Sequence, residues 1–188
     1  MLHSIIPGLW LLFTVYWLIS ARFAKRSVGG RMKWMQIAIR ASMVALVVIA
    51  LSSATLRHGL RVARVYQADH ALLAVIGIIL VILGIALAVW ARIELGRNWG
   101  IPMSQRADPE LVTGGPYAYV RHPIYSGIIL GMIGSAIGHS VVWTLPLVLF
   151  GAYFIYSARR EEEFMCRQFP ESYPAYMQRT YMLVPYVL

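Results

Sequence analysis

Residues 111–127, LVTGGPYAYVRHPIYSG, combine a Gly-Gly-Pro turn, three tyrosines and an Arg-His-Pro step at the start of an apolar stretch. Adjacent glycines permit backbone conformations that other residues avoid, and they let a ligand approach the main chain closely. Pro123 biases His122 away from the helical region and is itself well suited to the first turn of a helix. Imidazole, guanidinium and phenol groups fixed at a helix entrance can bind a polar ligand, so this segment is the candidate site.

A second polar cluster, Glu161, Glu162 and Glu163, follows Arg159 and Arg160 at the end of the last long apolar stretch. Three adjacent carboxylates repel one another, so they need water, basic partners or a cationic ligand. Taken alone, the cluster is typical of a solvated helix face paired with the two arginines. Placed beside residues 111–127, it would supply carboxylates for a positively charged ligand.

Membrane helices are expected to position these two segments, because the chain is unusually apolar. Hydrophobic residues make up 59% of its 188 residues and charged residues 13%, which excludes an ordinary soluble domain. About 20 apolar residues span a bilayer as a helix. The sequence predicts an all-α, polytopic membrane protein with five transmembrane helices, at residues 5–21, 34–54, 71–91, 124–138 and 141–158. The last two are almost contiguous and predict a tight helical hairpin.

The distribution of basic residues predicts the orientation in the membrane. Lys and Arg are concentrated in the first and third connections and in the C-terminal tail, and short cytoplasmic loops are enriched in these residues. We therefore expect the N-terminus outside, with residues 111–127 and the tail on the cytoplasmic side. Aromatic residues recur at helix-like intervals in the tail, which predicts an amphipathic segment. No signal peptide is evident at the start of the sequence.

This pattern divides the chain into two parts. Residues 1–70 predict a two-helix membrane module, and residues 71–188 predict one integrated core that contains both polar segments. Glycines at helical spacing predict close backbone packing within the core; they are Gly77 and Gly84 in the third span and Gly127, Gly131, Gly134 and Gly138 in the fourth.

Metal, disulfide and nucleic-acid chemistry are not predicted. Cys166 is the single cysteine of the sequence, so an intramolecular disulfide and a cysteine metal cage are excluded. The histidines are scattered and form no i, i+4 pair. The excess of Lys and Arg over Asp and Glu is explained by orientation in the membrane and by attraction to anionic lipid headgroups, because no nucleic-acid motif accompanies it.

The order of these features resembles the isoprenylcysteine carboxyl methyltransferase family and the related phospholipid methyltransferases. The shared order is the glycine turn, RHPIYSG, a short hairpin, the glutamates, and Phe-Pro-Glu-Ser-Tyr-x-x-Tyr, and it covers residues 95–185. The resemblance implies an integral membrane enzyme that uses S-adenosylmethionine and releases S-adenosylhomocysteine. It also implies a cytoplasmic cofactor pocket between the loop before the fourth span, the entrance of that helix and the tail.

The same resemblance assigns roles to individual residues. Cofactor binding is implied for Leu111, Val112, Tyr117, Arg121, His122, Pro123, Ile124, Glu161 and Glu162, with Glu162 the first choice for a direct contact. A catalytic role is implied for Arg121 and Tyr125, and Arg159 and Arg160 are candidates for holding the acceptor. The sequence departs from the family pattern at Ser157, where a substrate-binding arginine is common, and at Pro109 and Pro170.

The expected reaction is methyl transfer to a lipophilic acceptor, first of all carboxyl O-methylation of an isoprenylcysteine-like substrate. A sulfonium donor favours carboxylates in its pocket, and methyl transfer depends mainly on alignment of the reactants. The alternatives are N-methylation of a phospholipid or amine, NADPH-dependent reduction of the sterol-reductase type, and a non-catalytic membrane scaffold. The expected partners are the bilayer and the lipophilic or prenylated acceptor, and the oligomeric state is left open.

Overall fold

The computed structural model describes residues 5–22, 27–28, 71–99, 105–106 and 110–185. In this part the chain forms the helices α1 Ile5–Ala21, α2 Ala71–Leu95, α3 Pro123–Gly138, α4 Thr144–Gln168 and α5 Ser172–Gln178. Short 3₁₀ turns occupy Gly96–Asn98, Gly115–Ala118 and Val141–Trp143. A two-residue antiparallel pairing joins Ser27–Val28 (β1) to Gln105–Arg106 (β2). The predicted helical architecture is confirmed for these residues.

Four of the predicted spans coincide with α1 to α4, and the predicted span at residues 34–54 lies outside the described residues. Within the described residues, two helical stretches, Ala71–Asn98 and Val141–Gln168, are long and apolar enough to cross a membrane. The stretches Ile5–Ser20 and Pro123–Gly138 are apolar but shorter. The corresponding helices α1 and α3, of 17 and 16 residues, lie at the lower limit of the roughly 17–25 residues that span a bilayer. The five-span arrangement therefore stays a prediction.

Helices α2 and α3 pack antiparallel through their glycines. A Cβ atom on Gly77 would lie 2.4 Å from the Gly138 Cα and 2.5 Å from the Gly134 carbonyl oxygen. A Cβ atom on Gly84 would lie 2.4 Å from the carbonyl oxygen of Gly127. The two backbones are close enough that only hydrogen fits between them, which confirms the packing role predicted for these glycines.

Helix α1 packs against this pair near both of its ends. Trp10 Nε1 donates a 2.9 Å hydrogen bond to Ser135 Oγ, and the Trp10 ring stacks on Trp143. Towards the other end of α1, Arg92 Nη2 donates a 2.6 Å hydrogen bond to the Ser20 carbonyl oxygen. Helix α1 therefore runs parallel to α2 and antiparallel to α3.

Helices α3 and α4 form the predicted hairpin, and α4 extends well past residue 158. The extension follows from composition, since Arg and Glu at residues 159–163 are strong helix formers. It carries the glutamates back to the beginning of α3, where the Arg-His-Pro step lies. Helix α5 then buries Tyr173 and Tyr176 against the site while Arg179 stays exposed, so the amphipathic character predicted for the tail is present.

Candidate functional site

The Gly114-Gly115 turn is shaped by backbone geometry and by a neighbouring glutamate. Gly115 has a φ of +54°, a conformation that favours glycine because it has no Cβ atom. Glu94 of α2 lies over the turn, and a Cβ atom on Gly114 would lie 2.6 Å from its Oε1 atom. The 3₁₀ turn that follows directs Tyr117 inwards, where it is 6% exposed.

The Arg-His-Pro step is held by main-chain hydrogen bonds to residues 180–183, which we name the C-terminal segment. The Arg121 amide donates to the Tyr181 carbonyl oxygen at 2.8 Å, and the His122 amide donates to the Met182 carbonyl oxygen at 3.1 Å. In return the Tyr181 amide donates to the Tyr119 carbonyl oxygen at 3.1 Å. The two stretches thus run side by side as a parallel bridge. The bridge satisfies backbone groups just before α3 begins.

Arg121 links the Arg-His-Pro step to α4 and to the C-terminal segment. Its Nε atom lies 2.6 Å from Glu162 Oε1. Its Nη1 atom donates to the carbonyl oxygens of Thr180 and, at 3.2 Å, of Met177. His122 Nε2 lies 3.3 Å from the same Glu162 oxygen. Glu162 is 8% exposed, so this is a buried ion pair whose charges depend on each other.

Glu161, the neighbour of Glu162 in α4, is held mainly by two hydroxyl groups. Its Oε1 atom accepts a 2.6 Å hydrogen bond from the Tyr125 hydroxyl and a 3.3 Å hydrogen bond from Ser157 Oγ. Its Oε2 atom lies 3.7 Å from His122 Nδ1. The Tyr125 ring is stacked between His122 and Phe154, with centroid distances of 5.5 and 4.6 Å. The stack fixes the Tyr125 hydroxyl that orients the carboxylate.

These groups surround a cavity of about 360 Å³. Its wall contains most of the residues that the sequence predicted, namely Leu111, Val112, Tyr117, Arg121, His122, Ile124, Tyr125 and Glu161. Residues 111–127 and the end of α4 therefore meet in one place. A volume of this size falls in the range of roughly 300–1,000 Å³ typical of small-molecule sites.

Four of the predicted site residues do not line the cavity. Pro123 is fully buried at the start of α3, and Glu162 lies behind the wall in its pair with Arg121. Arg159 and Arg160 are exposed, and Arg160 Nη1 is 2.7 Å from Glu163 Oε2 on the outer face of α4. The structure does not bring these two arginines to the cavity, because they lie on a different face of the helix from Glu161.

Several residues of the cavity wall were not predicted from the sequence. Trp17 of α1, Trp99 after α2, and Glu110 line the cavity, as do Tyr173 and Tyr176 of α5. The i, i+3 spacing of the two tyrosines is the signal that identifies a buried helix face in the tail. Trp17 carries no such signal, because its helix is apolar on all sides.

Tyr173 and Tyr176 are neutral hydrogen-bonding groups at physiological pH. Burial raises the pKa of Tyr176 to about 12. Burial, with a smaller contribution from the Glu162 carboxylate, raises the pKa of Tyr173 still further above its ordinary value. The Tyr176 hydroxyl donates a 2.6 Å hydrogen bond to the Tyr117 carbonyl oxygen, which ties α5 to the glycine turn.

The arrangement suits a cationic organic ligand better than a metal ion. Within the described residues, no group of three or more His, Cys, Asp or Glu side chains could hold a metal. The cavity instead combines two carboxylates, Glu110 and Glu161, with many aromatic rings. Carboxylates and aromatic faces both attract cations.

Comparisons with known proteins give one matching family model and several relatives. The model of the phospholipid methyltransferase family matches residues 72–172. The chain is 36% identical to the cobalt-zinc-cadmium resistance protein CzcN of Cupriavidus metallidurans over 55% of the chain and 46% of the relative. It is 33% identical to the protein-S-isoprenylcysteine O-methyltransferase of Xenopus laevis over 61% of the chain and 41% of the relative.

A further relative is covered more completely. The probable protein-S-isoprenylcysteine O-methyltransferase of Oryza sativa subsp. indica is 29% identical over 74% of the chain and 76% of its own length. By contrast, the chain spans less than half the length of the bacterial and frog relatives. The part of the chain that the family model matches runs from α2 to the start of α5 and includes the cavity residues of α3 and α4.

Proposed function

We propose, because this chain belongs to the phospholipid methyltransferase family, that it is a membrane methyltransferase that uses S-adenosylmethionine and methylates a lipophilic acceptor. One observation carries the proposal. Arg121 and His122 before α3, Glu161 of α4, and Tyr173 and Tyr176 of α5 are far apart in the sequence, yet they line one cavity. A cavity with convergent polar groups on apolar walls is the expected form of a small-molecule site.

The residues present fit S-adenosylmethionine. The donor carries a sulfonium and an ammonium cation, and Glu110 and Glu161 supply carboxylates in the cavity wall. The residues that would hold it are Leu111, Val112, Tyr117, His122, Ile124 and Glu161. When bound, the donor supplies the methyl group and leaves as S-adenosylhomocysteine.

The chain contributes alignment and a fixed electrostatic environment to this reaction. Tyr125 and Ser157 hold the Glu161 carboxylate in one orientation before any ligand binds. A preorganised charge costs little reorganisation during the reaction, and aligned reactants avoid much of the entropic cost of meeting. The aromatic wall limits the access of water to the reacting groups.

The acceptor proposed is the carboxylate of an isoprenylcysteine-like molecule. The names of the frog and rice relatives support this substrate class. The apolar side of the cavity supports it as well, because Trp17, Ile128 and Phe150 from three different helices line it. A carboxylate is already nucleophilic, so such an acceptor needs positioning rather than a strong base.

The membrane arrangement belongs to the same proposal. Because α1 and α2 run parallel, we propose a further crossing between them, which gives five spans with the N-terminus outside and the site on the cytoplasmic side. We retain the division into residues 1–70 and 71–188, with α1 packing on the core through Trp10 and Ser20. The bilayer then gives the acceptor a lateral route to the cavity.

Ligand-induced stabilisation of the full chain in detergent tests the donor. S-Adenosylhomocysteine is expected to raise the melting temperature, because a ligand at ~100 times its Kd stabilises by about 2.7 kcal/mol. NADPH is expected to have no effect. Stabilisation by NADPH alone would support a reductase, and stabilisation by neither compound would favour a scaffold.

Transfer of a radiolabelled methyl group tests the acceptor. The substrates to compare are farnesylcysteine analogues and phosphatidylethanolamine, each presented in the same detergent. Label is expected in the farnesylcysteine analogue as a base-labile methyl ester. Label that appears only in phosphatidylethanolamine would replace O-methylation by N-methylation and leave the donor assignment intact.

A further inference from the structure

We infer that the neighbouring glutamates of α4 have different roles, with Glu161 as the carboxylate that contacts the methyl donor and Glu162 as a positioning residue. Glu162 holds the Arg-His-Pro step and, through Arg121, the C-terminal segment (residues 180–183) against the cavity. The inference rests on the proposed function. It assigns to Glu162 a task that does not require contact with either substrate.

The contacts of Glu162 are directed towards the protein. Its Oε1 atom lies 2.6 Å from Arg121 Nε and 3.3 Å from His122 Nε2. Its side chain is 10% exposed and is not part of the cavity wall. Glu162 therefore acts on groups that form the wall, whereas a ligand in the cavity meets Glu161.

Arg121 transmits the effect of Glu162 to the C-terminal segment. Its guanidinium donates to the Thr180 carbonyl oxygen, and its amide donates to the Tyr181 carbonyl oxygen. If Glu162 loses its charge, the buried guanidinium loses its counter-ion, which is costly in a protein interior. Release of the C-terminal segment relieves this cost, because it lets water reach Arg121.

Release of the C-terminal segment from its docked position in turn affects the cavity. The His122 amide would lose the Met182 carbonyl oxygen, and Ser126 Oγ would lose the Leu183 carbonyl oxygen that it now contacts at 2.5 Å. These bonds fix the first turn of α3, which carries Tyr125. Donor binding and docking of the C-terminal segment are therefore coupled, and each favours the other.

Three adjacent neutralising substitutions provide a matched experiment on the full chain. The variants are Glu161→Gln, Glu162→Gln and Glu163→Gln, and the measurements are the Kd for S-adenosylhomocysteine and deuterium uptake by a peptide that covers residues 180–185. Glu161→Gln is expected to weaken binding by about tenfold or more, as for a lost charged hydrogen bond, with unchanged deuterium uptake. Glu163→Gln, at the exposed pair with Arg160, is expected to change neither quantity.

Glu162→Gln is expected to increase deuterium uptake by the peptide and to weaken binding together. Saturating S-adenosylhomocysteine should then return the uptake towards the wild-type level. In steady-state kinetics, the KM for the donor should rise by about tenfold or more, while kcat stays within about twofold. Simple destabilisation would instead lower kcat through loss of active enzyme and leave KM unchanged.

Two results would overturn the inference. One is weakened binding in Glu162→Gln with uptake as low as in the wild type, which would make Glu162 a direct ligand contact. The other is wild-type binding in that variant. If Glu162→Gln does not fold, Glu162→Asp retains the charge and should show intermediate uptake and affinity, whereas wild-type uptake with weakened binding would again contradict the inference. Failure of the wild-type chain to bind S-adenosylhomocysteine would refute the proposed function instead.

Discussion

Tyr125 shows how one side chain serves both the fold and the site. Its ring is 8% exposed within the His122 and Phe154 stack, while its hydroxyl reaches Glu161 at 2.6 Å. The ring therefore contributes packing, and the hydroxyl contributes orientation of a charged group. The two contributions can be separated, because phenylalanine keeps the first and removes the second.

Tyr125→Phe is expected to weaken binding of S-adenosylhomocysteine by up to about tenfold, or ~1.4 kcal/mol, because a hydrogen bond to a charged acceptor is lost. The melting temperature without ligand should change little, since the aromatic stack remains. Isothermal titration calorimetry measures the affinity. Tyr156→Phe is the matched control, because Tyr156 is 55% exposed on the same hairpin. Equal effects of the two substitutions would contradict the role given to the Tyr125 hydroxyl.

Eight of the residues predicted from the sequence line the cavity, and the other residues of its wall were not predicted. Arg121, His122, Tyr125 and Glu161 carry chemistry in a recognisable order, so their types and spacing were informative. The order could not show which side of α4 each glutamate faces. That choice depends on the rotation of α4 against α3, and Tyr125 sets it by reaching Glu161 rather than Glu162.

At the scale of elements, the site depends on the contact between α2 and α3. Gly77 and Gly84 let the two backbones touch, and this contact fixes the end of α3 from which Tyr125 projects. The helical spacing of the glycines predicted close packing, since helices in lipid pack closely through small residues. The partner helix was not predicted, because many pairings satisfy the same pattern.

Gly77→Ala is expected to destabilise the protein by about 1–3 kcal/mol, as overpacking of a tight contact does. Its new Cβ atom would lie 2.4 Å from the Gly138 Cα, so the helices must separate. Thermal unfolding in detergent measures the change. Gly151→Ala is the control, because a Cβ atom there meets nothing within 4 Å. Its stability should stay equal or rise slightly through better helix propensity, and equal destabilisation of both variants would argue against the contact.

Docking of α5 is expected to weaken at alkaline pH. The pKa of Tyr176 is raised to about 12, so the folded chain holds the phenolic proton more tightly than the unfolded chain does. The resulting stabilisation is complete below about pH 10 and is lost as the pH rises from about 10 to about 12.

Melting temperatures measured from pH 9 to pH 11.5 test this expectation. The wild type should lose stability over this interval more steeply than Tyr176→Phe, which has no phenol at this position. Limited proteolysis should show cleavage near α5 over the same pH interval in the wild type. Parallel stability curves for the two proteins would mean that Tyr176 does not contribute.

At the scale of the whole molecule, the cavity is assembled from distant parts of the chain. Trp17 belongs to α1, Trp99 follows α2, and Tyr176 belongs to the tail, yet all three line the same cavity. The helical character of the apolar stretches that form α1 to α4 was predictable, because crossing a bilayer dictates both length and hydrophobicity. The contribution of α1 to the cavity wall could not be predicted, because a uniformly apolar helix has no polar and apolar faces that would indicate its packing.

The two ion pairs at the end of α4 should respond differently to ionic strength. Arg121 and Glu162 are each 10% exposed, whereas Arg160 and Glu163 are 46% and 51% exposed. Salt screens the interaction of exposed charges over a Debye length of about 10 Å at 0.1 M and about 3 Å at 1 M, and it affects buried pairs far less. Salt should therefore weaken the Arg160 pair more than the Arg121 pair at the cavity wall. The cavity therefore keeps the same charged lining across salt concentrations that loosen the outer surface of α4.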